Sequence, residues 1–206
     1  MYKNFIFDFG QVIVKFDPEF MTKVYIENPN EVKAVEDIIF DRLYWDKLDE
    51  GTITDDEVKE GICSRVPKHL KEKACLVYDN WYENIPFIEG MPELLKEIKQ
   101  KGGKLYLLSN ISKGFAENYK NVPALAETFD LFDGLVFSGP IGIVKPSKEI
   151  FNYLLSKYNI NAEESVFIDD NKNNIEGAQK LGINAVIFEG VTNKLKSKLL
   201  KDEDNG

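Results

Sequence analysis

The chain has 206 residues, 43% of them hydrophobic and 30% charged, and a net charge of −9. That length allows one good-sized core, or a core with a small inserted domain, and the acidic balance excludes a general nucleic-acid binder, which needs a basic stripe. No stretch is long and apolar enough to span a membrane, and the N-terminus lacks an apolar run of signal-peptide length, so the expectation is a cytoplasmic protein without membrane or nucleic-acid partners.

Cys63 and Cys75 lack metal-ligand spacing and read as free, partly buried thiols. The single histidine, His69, sits in a polar segment and reads as solvated, which weakens any mechanism that needs a histidine base. Phe5, Ile6 and Phe7 read as a strand buried on both faces, ending at Asp8. In open α/β sheets the ligand crevice lies outside the carboxyl ends of the strands. An aspartate there serves as metal ligand, base or nucleophile, or simply ends the strand as a turn residue. Gly10 permits a sharp turn and a close backbone approach.

Asp17 reads as an N-cap with Pro18 at the first helical position. From there to about Phe87 the pattern is helical. Phe20, Val24 and Tyr25 recur at helical spacing, then Val32, Val35, Ile38 and Ile39, with Asn28-Pro29-Asn30 between the two sets. Asp49 to Thr54 is a tight turn, Thr54 and Glu57 resemble a capping box, and a last helix runs from Lys68 to about Glu83. Tyr78, Trp81 and Tyr82 on it read as a core cluster. Residues 17–87 thus read as a small helical bundle.

A strand–helix alternation follows. Met91 to Lys101 is amphipathic and stops at Gly102-Gly103; Leu105 to Leu108 is a strand ending at Ser109-Asn110; Ser112 to about Ala126 is helical, interrupted by Pro123. Leu135 to Phe137 is a strand, then come the glycine-rich Ser138 to Gly142 and Lys145-Pro146. Ser147 is expected to cap a helix carrying Ile150, Tyr153 and Leu154. Val166 to Ile168 is a strand ending at Asp169-Asp170, Asn174 to Leu181 a helix, Ala185 to Ile187 a strand, and a last helix near Leu195 runs into a frayed tail, Asp202 to Gly206. The expected fold is α/β: a doubly wound, Rossmann-like parallel sheet of about five strands, built from 1–16 and 88–206, with 17–87 inserted after the first strand as a helical cap over the crevice.

Each polar strand end has a dull explanation alone, but Asp8, Ser109-Asn110, Lys145 and Asp169-Asp170 all fall at one sheet edge. The chemistry that fits is phosphoryl transfer. Asp8 attacks phosphorus, Asp8 and Asp169 hold a hard cation such as Mg²⁺, Lys145 adds positive charge, and Ser109 with its neighbours donates to the phosphoryl oxygens.

Asp8-Phe9-Gly10, Leu108-Ser109-Asn110, Val144-Lys145-Pro146 and Ile168-Asp169-Asp170-Asn171 resemble, in order and spacing, the four motifs of the haloacid dehalogenase superfamily. The insertion point is similar to that of its helical-cap subgroup, and the first and last motifs resemble those of small bacterial sugar-phosphate phosphatases of the glucose-1-phosphate type. The resemblance implies a Mg²⁺-dependent phosphatase acting on a small phosphorylated metabolite. In it Asp8 is nucleophile and metal ligand, Gly10 lends its carbonyl to the metal, and Asp169 binds the metal. Ser109 and Asn110 bind phosphate, Lys145 balances charge on Asp8 and phosphate, and Asp170 orients its neighbours or binds the metal through water.

One departure stands out. Most phosphatases of this family carry a second Asp, the general acid/base, where this chain has Gly10; such help is typically worth about 10²–10⁴-fold. A sugar 1-phosphate, whose anomeric oxygen is a better leaving group than a simple alkoxide, loses less from that absence. Two other readings remain: a phosphate- or metal-binding relative with impaired turnover, and a 2-haloacid dehalogenase in which Asp8 attacks carbon without a metal. Tyr44 and Trp45 precede the 49–51 turn and stack on a sugar face or, favoured for Trp45, fill the bundle core; Glu50 reads as solvated.

Overall fold

The strand nearest the N-terminus lies at the centre of the sheet. In the computed structural model, which describes residues 2–200, β1 (Asn4–Phe7) pairs in parallel with β2 (Lys104–Ser109) on one side and β4 (Ser165–Asp169) on the other. The expected frayed tail, Asp202 to Gly206, lies outside the described residues. β3 (Gly134–Phe137) and β5 (Asn184–Ile187) form the edges, giving the order β3-β2-β1-β4-β5, all parallel. The chain winds outward from β1 to β3, then returns to β4 and winds the other way. The reversal falls between β1 and β4, where open α/β sheets form their crevice.

Alternate side chains of β1 enter opposite cores. Phe5 and Phe7 join a cluster with Leu94, Leu95 and Ile98 of α6 (Met91–Gln100), and Ile6 joins one with Ile150, Phe151 and Leu154 of α10 (Lys148–Tyr158). Full burial on both faces explains why the run reads as continuously apolar.

The chain leaves the sheet after Val14 and returns at Phe87. Lys15 N donates to Pro86 O at 2.7 Å and Ile88 N to Ile13 O at 2.9 Å, so the outgoing and returning segments lie side by side. Between them lie α1 (Pro18–Lys23), α2 (Pro29–Ile39), α3 (Trp45–Asp49), α4 (Asp55–Arg65) and α5 (Lys71–Asn80). Asp17 caps α1 through Phe20 N–H, and Thr54 with Glu57 forms a complete capping box on α4. These helices enclose a separate apolar cluster around Val35, Ile39, Leu48, Ile62 and Val77. Cys63 and Cys75 face each other across α4 and α5 as free thiols.

Several local expectations are corrected. Phe20 and Val24 are exposed, because α1 is too short to carry a stripe and buries Met21 and Thr22 instead. The aromatic cluster on the last bundle helix is split: Tyr78 joins the bundle cluster, whereas Trp81 and Tyr82, beyond the end of α5, pack on Phe115 of the sheet layer. Pro123 does not merely interrupt a helix. It opens a new one, α8 (Pro123–Phe129), after α7 (Lys113–Asn118), as its fixed φ and missing N–H allow at a first helical position. The glycine-rich 138–142 stretch contains α9 (Ser138–Ile141). Ser147 stands at the N-cap of α10, but its hydroxyl is buried without a hydrogen-bond partner, so the expected cap bond is not made. In the turn after β1, Gln11 takes the left-handed backbone, at φ 58°.

Candidate active site

Parallel pairing brings the ends of β1, β2 and β4 to one edge, and the loop after α9 delivers Lys145 to the same place. Asp8 N–H donates to Ile168 O at 2.9 Å, extending the ladder and fixing the carboxylate beside β4. The Lys145 ammonium lies 2.7 Å from Asp8 Oδ1 and 2.8 Å from Asp169 Oδ2. The Lys145 and Asp169 side chains are sealed off, at 1% and 0% exposure, while Asp8 retains 13%. Of the three, Asp8 is therefore the group an incoming molecule meets.

Asp169 is held from the other side. Asn174 Nδ2 donates to both of its oxygens at 3.1 and 3.0 Å, and Asn171 N–H donates to Oδ1 at 2.8 Å. Asn171 also caps α11 (Lys172–Gln179), which carries Asn174, so one strand end and one helix start position the carboxylate together. Asn110 accepts from Lys145 N–H at 2.8 Å and donates to Lys145 O at 3.0 Å. The amide expected to meet phosphate thus engages the main chain of the lysine. Ser109 is buried at the end of β2.

Charge at this edge is unbalanced. Burial pushes the Asp8 carboxyl up to about 6 against the attraction of Lys145, and the Asp169 charge adds to the rise. Burial pulls Lys145 down, but the two carboxylates overcome it and hold the ammonium above its usual range. Burial, then the Asp169 charge, raise Asp170. Oxygens of Asp8, Asp169 and Asp170 lie within 4.8 Å of one another. One lysine cannot neutralise three acids, and an all-oxygen donor set suits a hard divalent cation such as Mg²⁺.

Asp8, Gly10, Ser109, Asn110, Lys145 and Asp170 line one cavity of about 280 Å³. Asp169 lies behind it, against Asp8 and Lys145. The inserted segment contributes Arg42, Trp45 and Asp49 to the lining. Trp45 does double duty: its ring stacks on Phe40 and meets Trp81 edge-on, and its indole N–H donates to Ile39 O at 2.8 Å. Tyr44 packs into the bundle cluster instead, and Glu50 is exposed as expected. The sequence reading missed Asn171 and Asn174 as holders of Asp169, and missed Arg42 and Asp49 in the cavity. A signal existed for the first pair in the spacing of Asp169 to the following helix start; none existed for the second.

A model of the haloacid dehalogenase-like hydrolases matches residues 2–182. The chain is 27% identical over 196 residues to the D-ribitol-5-phosphate phosphatase of Bacteroides thetaiotaomicron, covering 88% of this chain and 89% of that protein. It is 26% identical over 182 residues to a sesquiterpene phosphatase of Aspergillus oryzae, covering 88% and 87%. Against a drimenol cyclase of Aspergillus calidoustus it is 27% identical over 191 residues, 91% of this chain but only 34% of that one, so it spans about a third of that relative. Among solved structures, a haloacid dehalogenase family enzyme of Bacteroides thetaiotaomicron superposes with a TM-score of 0.66 at 25% identity, over 92% of this chain and 94% of that one. The wild-type form of that enzyme in complex with magnesium and inorganic phosphate superposes with a TM-score of 0.65 at 22% identity, over 92% and 96%.

Proposed function

The chain belongs to the haloacid dehalogenase-like hydrolases, and from that premise we propose that it is a Mg²⁺-dependent phosphatase that hydrolyses a small phosphorylated metabolite through an aspartyl-phosphate on Asp8. The observation that carries this reading is the buried Asp8–Lys145–Asp169 array, with Asp8 and Lys145 at the cavity wall and Asp8 the most exposed of the three. Two phosphatases among the relatives, one of them acting on a sugar-alcohol phosphate, support it. So does the magnesium and phosphate complex of a structural neighbour.

Asp8, Asp169 and the Gly10 carbonyl would hold the metal, with Asp170 beside them. When bound, the cation neutralises the phosphate dianion and lets a carboxylate approach it. Lys145 holds Asp8 ionised and oriented, and its charge faces the phosphoryl group. Ser109 donates to a phosphoryl oxygen, and Asn110 keeps Lys145 in place through both main-chain bonds. Asp8 Oδ attacks phosphorus, the P–O bond to the leaving group breaks, and water then hydrolyses the aspartyl-phosphate. Asn174 and Asn171 fix Asp169 and so would position the metal.

The substrate we favour is a sugar phosphate such as glucose 1-phosphate. The cavity is near the small end of ligand pockets, ~300–1,000 Å³, Trp45 offers an aromatic wall, and Arg42 adds a cation at the rim. Residues 17–87 act as the cap, with 1–16 and 88–206 as the catalytic core. The test is phosphate release from α-D-glucose 1-phosphate and from an aryl phosphate, with Mg²⁺ or EDTA. Release that needs Mg²⁺ and falls by about 10³-fold or more in Asp8→Asn supports the phosphatase. No release from either substrate by folded protein contradicts it.

A further inference from the structure

We propose that Asp49, on the inserted helical segment, is the proton donor to the leaving group, filling the role that the glycine at position 10 cannot; the inference rests on the phosphatase reading above. Asp49 ends α3 and lines the same cavity as Asp8, Gly10 and Lys145. It is half-buried, yet its side chain makes no hydrogen bond or ion pair among the described residues. The charged groups facing it are Arg42 and Asp46 on its own segment and Lys145, Asp8 and Asp170 from the strand ends. Arg42 and Lys145 pull the carboxyl down, but Arg42 is paired with Asp46 and Lys145 with Asp8 and Asp169, and burial outweighs them. An acid placed in a cavity without a partner favours its neutral form. Accordingly, burial pushes its carboxyl up to about 7, where one group both gives and takes a proton near neutrality.

The backbone around Asp49 is fixed to the core. Gly51, at φ +66°, lies directly against the carbonyl of Gly139, where an added Cβ would stand 2.3 Å from the oxygen. This close approach seats the end of α3 on α9, beside the strand ends. Residue 10 itself is not glycine for want of space, because a Cβ built there meets nothing within 4 Å. An acid at position 10 would fit, and the acid that this chain does present to the cavity comes from the other side.

The proton balance closes over two steps. As Asp8 Oδ bonds to phosphorus and the P–O bond to the alcohol breaks, the Asp49 proton passes to the departing oxygen, leaving a free alcohol and an Asp49 carboxylate. Water then attacks phosphorus, its proton goes to Asp49, the Asp8–phosphorus bond breaks, and hydrogen phosphate leaves.

The test compares an alkyl phosphate, whose alkoxide needs the proton, with p-nitrophenyl phosphate, whose phenolate does not. In Asp49→Asn, kcat/KM is expected to fall by about 10²–10⁴-fold on the alkyl phosphate and by less than about tenfold on the aryl phosphate. In wild type, kcat/KM on the alkyl phosphate is expected to fall as pH rises through about 7, where Asp49 loses its proton, and this limb is absent for the aryl phosphate. Adding Gly10→Asp to Asp49→Asn is expected to restore alkyl turnover. Equal losses on both substrates, or no loss on either, overturn the role of Asp49 while leaving the phosphatase intact. Absence of Mg²⁺-dependent aryl turnover in wild type overturns the phosphatase reading, and this inference with it.

Discussion

At the carboxyl edge of the sheet, charge is buried and tied: Lys145 joins Asp8 and Asp169, and two asparagines hold Asp169 from behind. In the inserted helices the order is reversed. Their interior is apolar, and their ion pairs, such as Lys59–Asp79 between α4 and α5, lie at the surface. Surface pairs of that kind contribute about 0–1 kcal/mol, whereas removing one partner of a buried pair costs about 3–5 kcal/mol. The two regions therefore spend charge differently. The sheet edge accepts costly buried charges because strand ends hold them rigidly, and the insertion gains its stability from packing and sends side chains into the cavity from its surface.

The comparison is broken most severely at Lys145. Lys145→Ala leaves Asp8 and Asp169 buried without a cation, and is expected to abolish phosphate release and lower stability by about 3–5 kcal/mol, read as a shift in urea midpoint that added Mg²⁺ partly reverses. An unchanged midpoint without Mg²⁺ would contradict the buried-pair account. Next comes Asn174→Ala, which removes one hydrogen bond from each oxygen of Asp169 and leaves Asn171 N–H and Lys145 in place. The Mg²⁺ concentration for half-maximal activity is expected to rise about 10–100-fold, with stability changed far less than by Lys145→Ala. In the insertion, Thr54→Ala removes the capping box of α4 and is expected to cost about 1 kcal/mol without changing the Mg²⁺ requirement. Smallest is Lys59→Ala, expected below about 1 kcal/mol in thermal unfolding and invisible in kcat.

The sheet was legible because its inner strands are buried on both faces, so runs such as Phe5–Phe7 and Val166–Ile168 stand out without any partner in view. The edge was legible because parallel pairing makes strand ends converge, and polar residues there contrast with the apolar runs before them. What escaped depends on packing between elements. Whether Asp49 in a turn faces solvent or a cavity is set by how Gly51 seats on Gly139, which no local pattern encodes. Asn174 reads as a helix-start residue until β4 is placed beside α11. Tyr78 and Trp81 look alike in sequence, yet α5 ends at Asn80, so Trp81 leaves the helix and crosses to Phe115.

The central claim is that Asp8 becomes phosphorylated during turnover. Rapid acid quench of wild-type protein with p-nitrophenyl phosphate and Mg²⁺, followed by peptide mass spectrometry, tests it directly. The account predicts an adduct of one phosphoryl group on the peptide containing Asp8, absent with EDTA and absent in Asp8→Asn. Turnover that persists in Asp8→Asn, with no adduct at Asp8 in wild type, would contradict it.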